Sequence, residues 1–452
     1  MNQLGRLALA TSEMGTRPSL AALSWLAGLT DLRWQVQHFR SRACPTGAES
    51  VGCLTGLPSR HLDSWLMPDE VLRALFHQGS KTADFSIVEG SFNPAAPADC
   101  LLSHPSEGLK PIVEALDLPV VAVLSIPDTE SFHLPRIPDE ASAIFVENLR
   151  DRSEFEMIRR MIALTTKRPL LGAIERLPEV EEILRNGPLD RRQTDLVFSR
   201  LSQSFLRFAD VSAIRNLARS RPYTWQCPEP ATRKAKPFRV AYARDSAFGE
   251  YFPDTLEALE AFGAELVEFS PIHDEHLPEN IGLVMIGCGF PEKYIDKLVN
   301  NLSMIGELQG HVCRGKRIYA EGGGAAYLGR SMLIAGSSFP VAGILPFDAE
   351  LLDIPSPPSP VVRVLMSDTW LGPAGTEVRG YDSGRWRLHP SASDLGCCGS
   401  FGSLNLEDDI FYRHHAVGGL IHLHLGALTN VVAAFAGEHP ASLSLPTSRP
   451  MS

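Results

Sequence analysis

The chain has 452 residues, of which 44% are hydrophobic and 21% charged, and its formal net charge is -11 at pH 7. At roughly 150 residues per domain this is two or three domains with ample chain for a large core, which excludes a small stapled scaffold, a coiled coil and wholesale disorder. The negative charge opposes long-range attraction to phosphate polyanions, so no nucleic-acid partner is expected.

The opening run MNQLGRLALATSEMGTRPSL turns polar too soon for a signal peptide, and no uninterrupted apolar stretch reaches the roughly 18 residues of a membrane span. No membrane partner and a cytoplasmic location are therefore expected. Eight cysteines, at 44, 53, 100, 227, 288, 313, 397 and 398, include no CxxC pair, so they read as reduced thiols.

Buried-strand patterns occur at RLALAT (6 to 11), FSIVEG (85 to 90), PVVAVLSI (119 to 126), AIFVENL (143 to 149) and PLLGAI (169 to 174). Amphipathic helical patterns lie between them at 18 to 29, 68 to 79 and 154 to 164, the first two opening on a proline. This alternation predicts a right-handed, doubly wound α/β sheet in a first domain, residues 1 to 223. The proline-rich basic stretch at 224 to 237 reads as a linker. A second α/β domain, 238 to 440, opens with the strand FRVAYAR (238 to 244), the helix PDTLEALEAFG (253 to 263) and the strands AELVEFS (264 to 270) and IGLVMIG (281 to 287). IPSPPSP (354 to 360) is an irregular connection, and 441 to 452 reads as a flexible tail.

Some clusters carry only bland readings. RDRSEFEMIRR (150 to 160) mixes acids with its arginines at helical spacing and reads as a solvated face. The glycine runs GCGFPE and GGGAAYLG lack the spacing of a dinucleotide fingerprint, so no nicotinamide cofactor is expected. His414, His415, His422 and His424 with Cys397 and Cys398 match no standard zinc spacing, so they read as a polar cluster and no metal is expected.

Five ordered stretches of the second domain, VAYARDSAFGEYFPDTLEALEAFGAELVEFSPIHDEHLP (240 to 278), IGCGFPE (286 to 292), IYAEGGGAAYLGRSM (318 to 332), LGPAGTEVRG (371 to 380) and LIHLHL (420 to 425), resemble the glutamine amidotransferase domain of cobyrinic acid a,c-diamide synthases. TGLPSRHLDSWLM (55 to 67) and SIVEGSF (86 to 92) resemble the same family's ATP-dependent half, which is similar to dethiobiotin synthetase. The resemblance implies a P-loop-NTPase-like domain followed by a class I glutamine amidotransferase-like, flavodoxin-like domain. It also implies a reaction in which ATP and magnesium activate corrin carboxylates while glutamine supplies ammonia.

Set against that family, the chain has lost central groups. The motif YAECGG becomes Tyr319, Ala320, Glu321, Gly322, Gly323, Gly324, so Gly322 stands at the nucleophile position and cannot form a thioester. The family's partner histidine falls on His422, read as a hydrogen-bonded structural residue, with His424 two residues on. The oxyanion-type loop is Gly287, Cys288, Gly289; Cys288 stands where glycine is expected and reads as a buried structural thiol on the opposite wall. The HEFH segment becomes Tyr381, Asp382, Ser383, Gly384.

In the ATP-dependent half an ungapped register from Arg60 puts Pro18 at the P-loop lysine and Ser19 at the magnesium-binding hydroxyl, with Gly15 and Arg17 nearby. Proline removes both an ammonium and a backbone donor, and the guanidinium of Arg17 does not replace a buried lysine. Cys44 and Gly47 replace two acidic residues and Arg40 a lysine, while Glu89 matches the carboxylate of the magnesium-binding strand. The expected function is accordingly a pseudoenzyme with no catalytic residues, no certain cofactor, and vestigial Ser19 and Glu89. It would bind a tetrapyrrole-like or other carboxylated ligand, a protein partner or a second copy. The alternatives are ATP- and magnesium-dependent amidation of a corrinoid or other carboxylate with free ammonia, and a regulatory or structural subunit of an active enzyme.

Overall fold

The first apolar run forms β1 (Gly5–Thr11), whose seven residues are all buried. A strand covered on both faces reads as a continuous apolar run, and this computed structural model places β1 near the middle of a seven-stranded parallel sheet. Residues 4–11, 18–44, 49–91, 109–126, 137–185, 189–223, 237–390 and 410–437 are described. The chain divides into two compact units, Met1–Pro230 and Ala231–Ser452.

In the first unit the other strands are β2 (Val36–Arg40), β3 (Arg60–His61), β4 (Phe85–Ser91), β5 (Val120–Ser125), β6 (Ala141–Leu149) and β7 (Leu170–Glu175), ordered β3-β2-β4-β1-β5-β6-β7. The helices are α1 (Leu20–Asp31), α2 (Glu49–Thr55), α3 (Asp69–Ser80), α4 (Leu109–Leu116), α5 (Arg152–Thr165), α6 (Pro178–Arg185), α7 (Arg191–Phe208) and α8 (Val211–Ala218). Successive residues of a strand serve opposite faces. Val121 and Val123 join one core with Trp25 and Phe205, while Ala122 and Leu124 join another with Ile158 and Ile162. Helices thus cover both faces, which is the doubly wound arrangement expected from the alternation.

β2 was not among the predicted strands. Its sequence VQHFR has three polar residues among five and no regular alternation, yet all five are buried. Gln37 and His38 make buried hydrogen bonds and Arg40 lies buried beside the charge of Glu89, so apolar patterning could not reveal the strand.

In the second unit the elements that follow are β8 (Phe238–Ala243), β9 (Phe248–Glu250), α9 (Pro253–Ala261), β10 (Ala264–Phe269), β11 (Leu283–Ile286), β12 (Cys288–Gly289), α10 (Ile295–Asn300), α11 (Leu302–Cys313), β13 (Arg317–Glu321) and α12 (Gly323–Leu328). With β20 (Ile410–Arg413) and β21 (Ala416–Gly419), a sheet forms in the order β10-β8-β11-β13-β21-β20, parallel except for β20. β12 pairs with β9 in a separate two-stranded ribbon. Two smaller sheets join β14 (Ser331–Ile334), β15 (Ser337–Pro340), β16 (Phe347–Leu351) and β19 (Trp386–Pro390), and β17 (Ser359–Val364), β18 (Glu377–Asp382) and β22 (Ile421–His422). No helix among the described residues is long and apolar enough to cross a membrane.

Trp25 of α1 is fully buried, with the Phe145 ring 5.3 Å away and the Phe205 ring 5.6 Å away. Gly28, one turn later, lets Phe205 of α7 approach the helix so closely that any Cβ there would strike its ring. Trp25→Ala is expected to lower the stability of the first unit by about 3–5 kcal/mol, measured by chemical denaturation of the full chain. A loss below about 1 kcal/mol would mean the site collapses around the cavity.

Candidate functional site

Parallel strands deliver their loops to one edge of a sheet, and ligand sites of such folds gather there. In the second unit Cys288 follows β11, Glu321 ends β13 and His422 lies in β22, just beyond β21. Cys288 Sγ lies 3.2 Å from His422 Nδ1, and Glu321 Oε2 lies 2.5 Å from the same nitrogen. All three side chains are buried, with relative exposures of 4%, 6% and 3%. The other oxygen of Glu321 is held by the Tyr319 hydroxyl at 2.6 Å and the Leu423 amide at 3.0 Å. The Phe252 ring packs on His422 at 4.4 Å.

Gly322 sits between β13 and α12 with φ +51° and ψ -118°, a conformation costly for any residue with a Cβ. A Cβ added there would come within 2.7 Å of Cys288 Sγ. The position that should carry a side chain in the resemblance is therefore approached by a sulfur from the facing loop. Cys288, read from the sequence as a structural thiol on the opposite wall, is in hydrogen-bond contact with His422.

Burial pushes the Cys288 thiol above its ordinary range, and the nearby Glu321 adds to this, against the opposing pull of His422. Burial alone would lower His422, but the charges and hydrogen bonds of Cys288 and Glu321 outweigh it and hold the imidazole well above its ordinary value. His424 is buried against Phe252, 3.6 Å from the Asp254 carboxylate. His414 and His415 lie on an exposed turn between β20 and β21, so the four histidines do not form one cluster. Cys397 and Cys398 lie outside the described residues. Tyr381 is buried in β18 and pairs through its backbone with His422, while Ser383 and Gly384 form the turn after it.

In the first unit Ser19 and Glu89 are brought together. Ser19 caps α1, accepting from the Ala22 amide at 3.1 Å, and its own amide donates to Glu89 Oε1 at 2.6 Å. Glu89 Oε2 lies 3.2 Å from His38 Nε2, and His38 Nδ1 lies 2.8 Å from the Ser59 hydroxyl. Burial pushes the Glu89 carboxyl up, but His38, Arg40 and Ser19 together hold it below its ordinary value. Glu147 stands close enough to feel Glu89; desolvation first and that charge second push its carboxyl up to about 6, with the Ala21 amide and Ser125 hydroxyl opposing. Pro18 is buried and offers no amide proton. Arg40 is buried and coupled to Glu89 and Cys44. Gly15, Arg17 and Gly47 lie outside the described residues.

His38 and Glu147 escaped sequence reading, and Tyr319 and Glu321 were read only as positions of the glycine-turn motif, with no role of their own. Glu321 adjoins the glycine turn, and a carboxylate at that strand end was the signal available for it. His38 sits in the polar strand β2, whose pattern concealed it.

Residues 239–425 match the CobB/CobQ-like glutamine amidotransferase domain. The chain is 28% identical over 394 residues to cobyrinate a,c-diamide synthase of Syntrophotalea carbinolica, covering 83% of this chain and 85% of the relative. It is 24% identical over 391 residues to the enzyme of that name from Listeria monocytogenes, covering 84% and 86%. A solved glutamine amidotransferase is similar at 16% identity and TM-score 0.33 over 44% of this chain and 98% of its own, and the MinD cell division protein of Aquifex aeolicus at 12% and 0.28 over 44% and 95%. The second unit thus matches a CobB/CobQ-like amidotransferase domain, and the chain is similar over more than four fifths of its length to cobyrinate a,c-diamide synthases. As a cobyrinate a,c-diamide synthase relative, it combines an amidotransferase-type unit with a preceding parallel-sheet unit.

Two measurements probe these geometries. Gly322→Ala adds both a backbone penalty and a clash, for an expected loss of about 2–4 kcal/mol; in a Cys288→Ala background the clash is gone and the same change costs at least about 1 kcal/mol less. Strict additivity of the two substitutions in denaturation would contradict the contact. Glu147 binds its proton more tightly folded than unfolded, so its favourable contribution is complete below about pH 4.5 and lost as pH rises through about 6. Glu147→Gln should match the parent in acid and exceed it by about 1–2 kcal/mol above pH 7; equal stability throughout would refute the assignment.

Proposed function

We propose that this chain is a cobyrinate a,c-diamide synthase relative from which ATP-driven ligation has been removed, and that it acts by binding a carboxylated, tetrapyrrole-like ligand. The observation that carries the first half is the 2.6 Å hydrogen bond from the Ser19 amide to Glu89. A helix amino terminus binds phosphate through amides that have no partner inside the helix. Here the amide of Ser19 is taken by a protein carboxylate, that of Ala22 by the Ser19 hydroxyl, and the residue before them is proline.

The carboxylate is committed as well. Its second oxygen faces His38, and the positive charge coupled to it is the buried Arg40. Anionic phosphate brought to this end of α1 would meet Glu89 and Glu147, and a magnesium ion would have to displace His38 and repel Arg40.

The ligand class rests on the relatives, which are named cobyrinate a,c-diamide synthases and which this chain matches over more than four fifths of their length. Carboxylate activation and carboxylate recognition are separable, and loss of the first leaves the second possible. A partner protein or a second copy is the competing use of the same scaffold.

The test uses the full chain with MgATP, a corrinoid polycarboxylic acid and ammonium. The expected result is saturable binding of the corrinoid acid, followed by its visible absorption, with no ADP or phosphate formed. Nucleotide turnover that depends on the corrinoid would establish the ammonia-dependent ligase instead, and absence of corrinoid binding would overturn the ligand assignment.

A further inference from the structure

The Cys288, Glu321 and His422 side chains present one sulfur, one carboxylate oxygen and one imidazole nitrogen, all within 4.8 Å of one another. We propose that these three residues form a binding site for a thiophilic divalent metal ion of the zinc class in the second unit.

The geometry gives the first reason. Nδ1 of an imidazole carries either one proton or one lone pair. Here it faces two groups, the sulfur at 3.2 Å and the carboxylate oxygen at 2.5 Å, and a single proton on Nδ1 serves only one of them. A cation placed among the three satisfies all at once. Bonds of about 2.0–2.3 Å to zinc put tetrahedral ligands roughly 3.5 Å apart. The sulfur to nitrogen separation already approaches this, and the carboxylate reaches it by exchanging its hydrogen bond for a metal bond.

Support around the ligands gives the second reason. Metal carboxylates are held by outer partners that leave one oxygen for the ion. Oε1 of Glu321 takes the Tyr319 hydroxyl and the Leu423 amide, and Oε2 is the oxygen turned toward His422 and Cys288. His422 Nε2 is buried without a hydrogen bond among the described residues, so Nδ1 is the nitrogen through which the ring is engaged. All three ligands come from strand ends or short strands of the sheet edge, rather than from long loops. Gly322 completes the site by absence: any Cβ there would press on the sulfur at 2.7 Å.

The donor set selects the ion. One thiolate, one imidazole and one carboxylate suit zinc or cobalt, whereas magnesium and calcium take oxygen donors only. Three protein ligands leave a fourth position for a small exogenous donor. This inference concerns the second unit and stands whether or not the first unit binds nucleotide.

The experiment titrates metal-free full-length protein with Co²⁺ and then displaces it with Zn²⁺. One equivalent of Co²⁺ should produce a sulfur-to-cobalt charge-transfer band in the near ultraviolet that Zn²⁺ abolishes. Cys288→Ser should remove the band while Cys313→Ser, an exposed thiol of the same unit, retains it. Tyr319→Phe should keep the band and weaken Zn²⁺ affinity about 10- to 100-fold, with circular dichroism confirming the fold of each variant. A band that survives Cys288→Ser, or no band at one equivalent, overturns the proposal. Acylation of Cys288 by a small primary amide in metal-free protein, with zinc having no effect, also overturns it and identifies the thiol as a nucleophile.

Discussion

The backbone amides that open α1 have no partners inside their own helix, and what satisfies them decides what the first unit can hold. In this chain Glu89 takes the Ser19 amide, and the Ser19 hydroxyl takes that of Ala22. The neighbouring residues follow from that choice. A buried carboxylate needs compensation, which His38 and Arg40 supply, and the polar character of β2 is the consequence. Glu147, left as the second carboxylate at this end, is the one whose proton is held unusually tightly.

The second unit solves a related problem differently. Its glycine turn keeps the strained backbone at Gly322, but a sulfur from the facing ribbon occupies the space beside it. Cys288 and Gly322 are thus spatially complementary, since a side chain at one position excludes the present rotamer at the other. The imidazole of His422 and the carboxylate of Glu321 lie beside this sulfur at the same edge. Both units have filled the carboxyl edge of their sheets with interactions made by the chain itself.

Much of this architecture was legible in the sequence. FSIVEG and PVVAVLSI are continuous apolar runs because both faces of their strands are covered, and the predicted boundaries fall within two residues of β4 and β5. β2 was illegible because its buried residues are polar, and their partners, Ser59 and Glu89, are set by tertiary structure. The pairing of Ser19 with Glu89 was half legible, since both were singled out but as remnants of a magnesium site. The contact between Cys288 and His422 spans 134 residues of sequence, so no local pattern could reveal it. Its trace was a cysteine in one glycine motif and a glycine at the facing turn, which only become a pair once the strands are side by side.

The state of the α1 amides is open to direct observation by amide hydrogen exchange of the peptide that begins this helix, in the full chain with and without saturating MgATP. If Glu89 already satisfies these donors, exchange of the Ser19 to Ala22 segment is the same under both conditions. Nucleotide-dependent slowing confined to that segment would show that phosphate displaces the carboxylate, and would contradict the account.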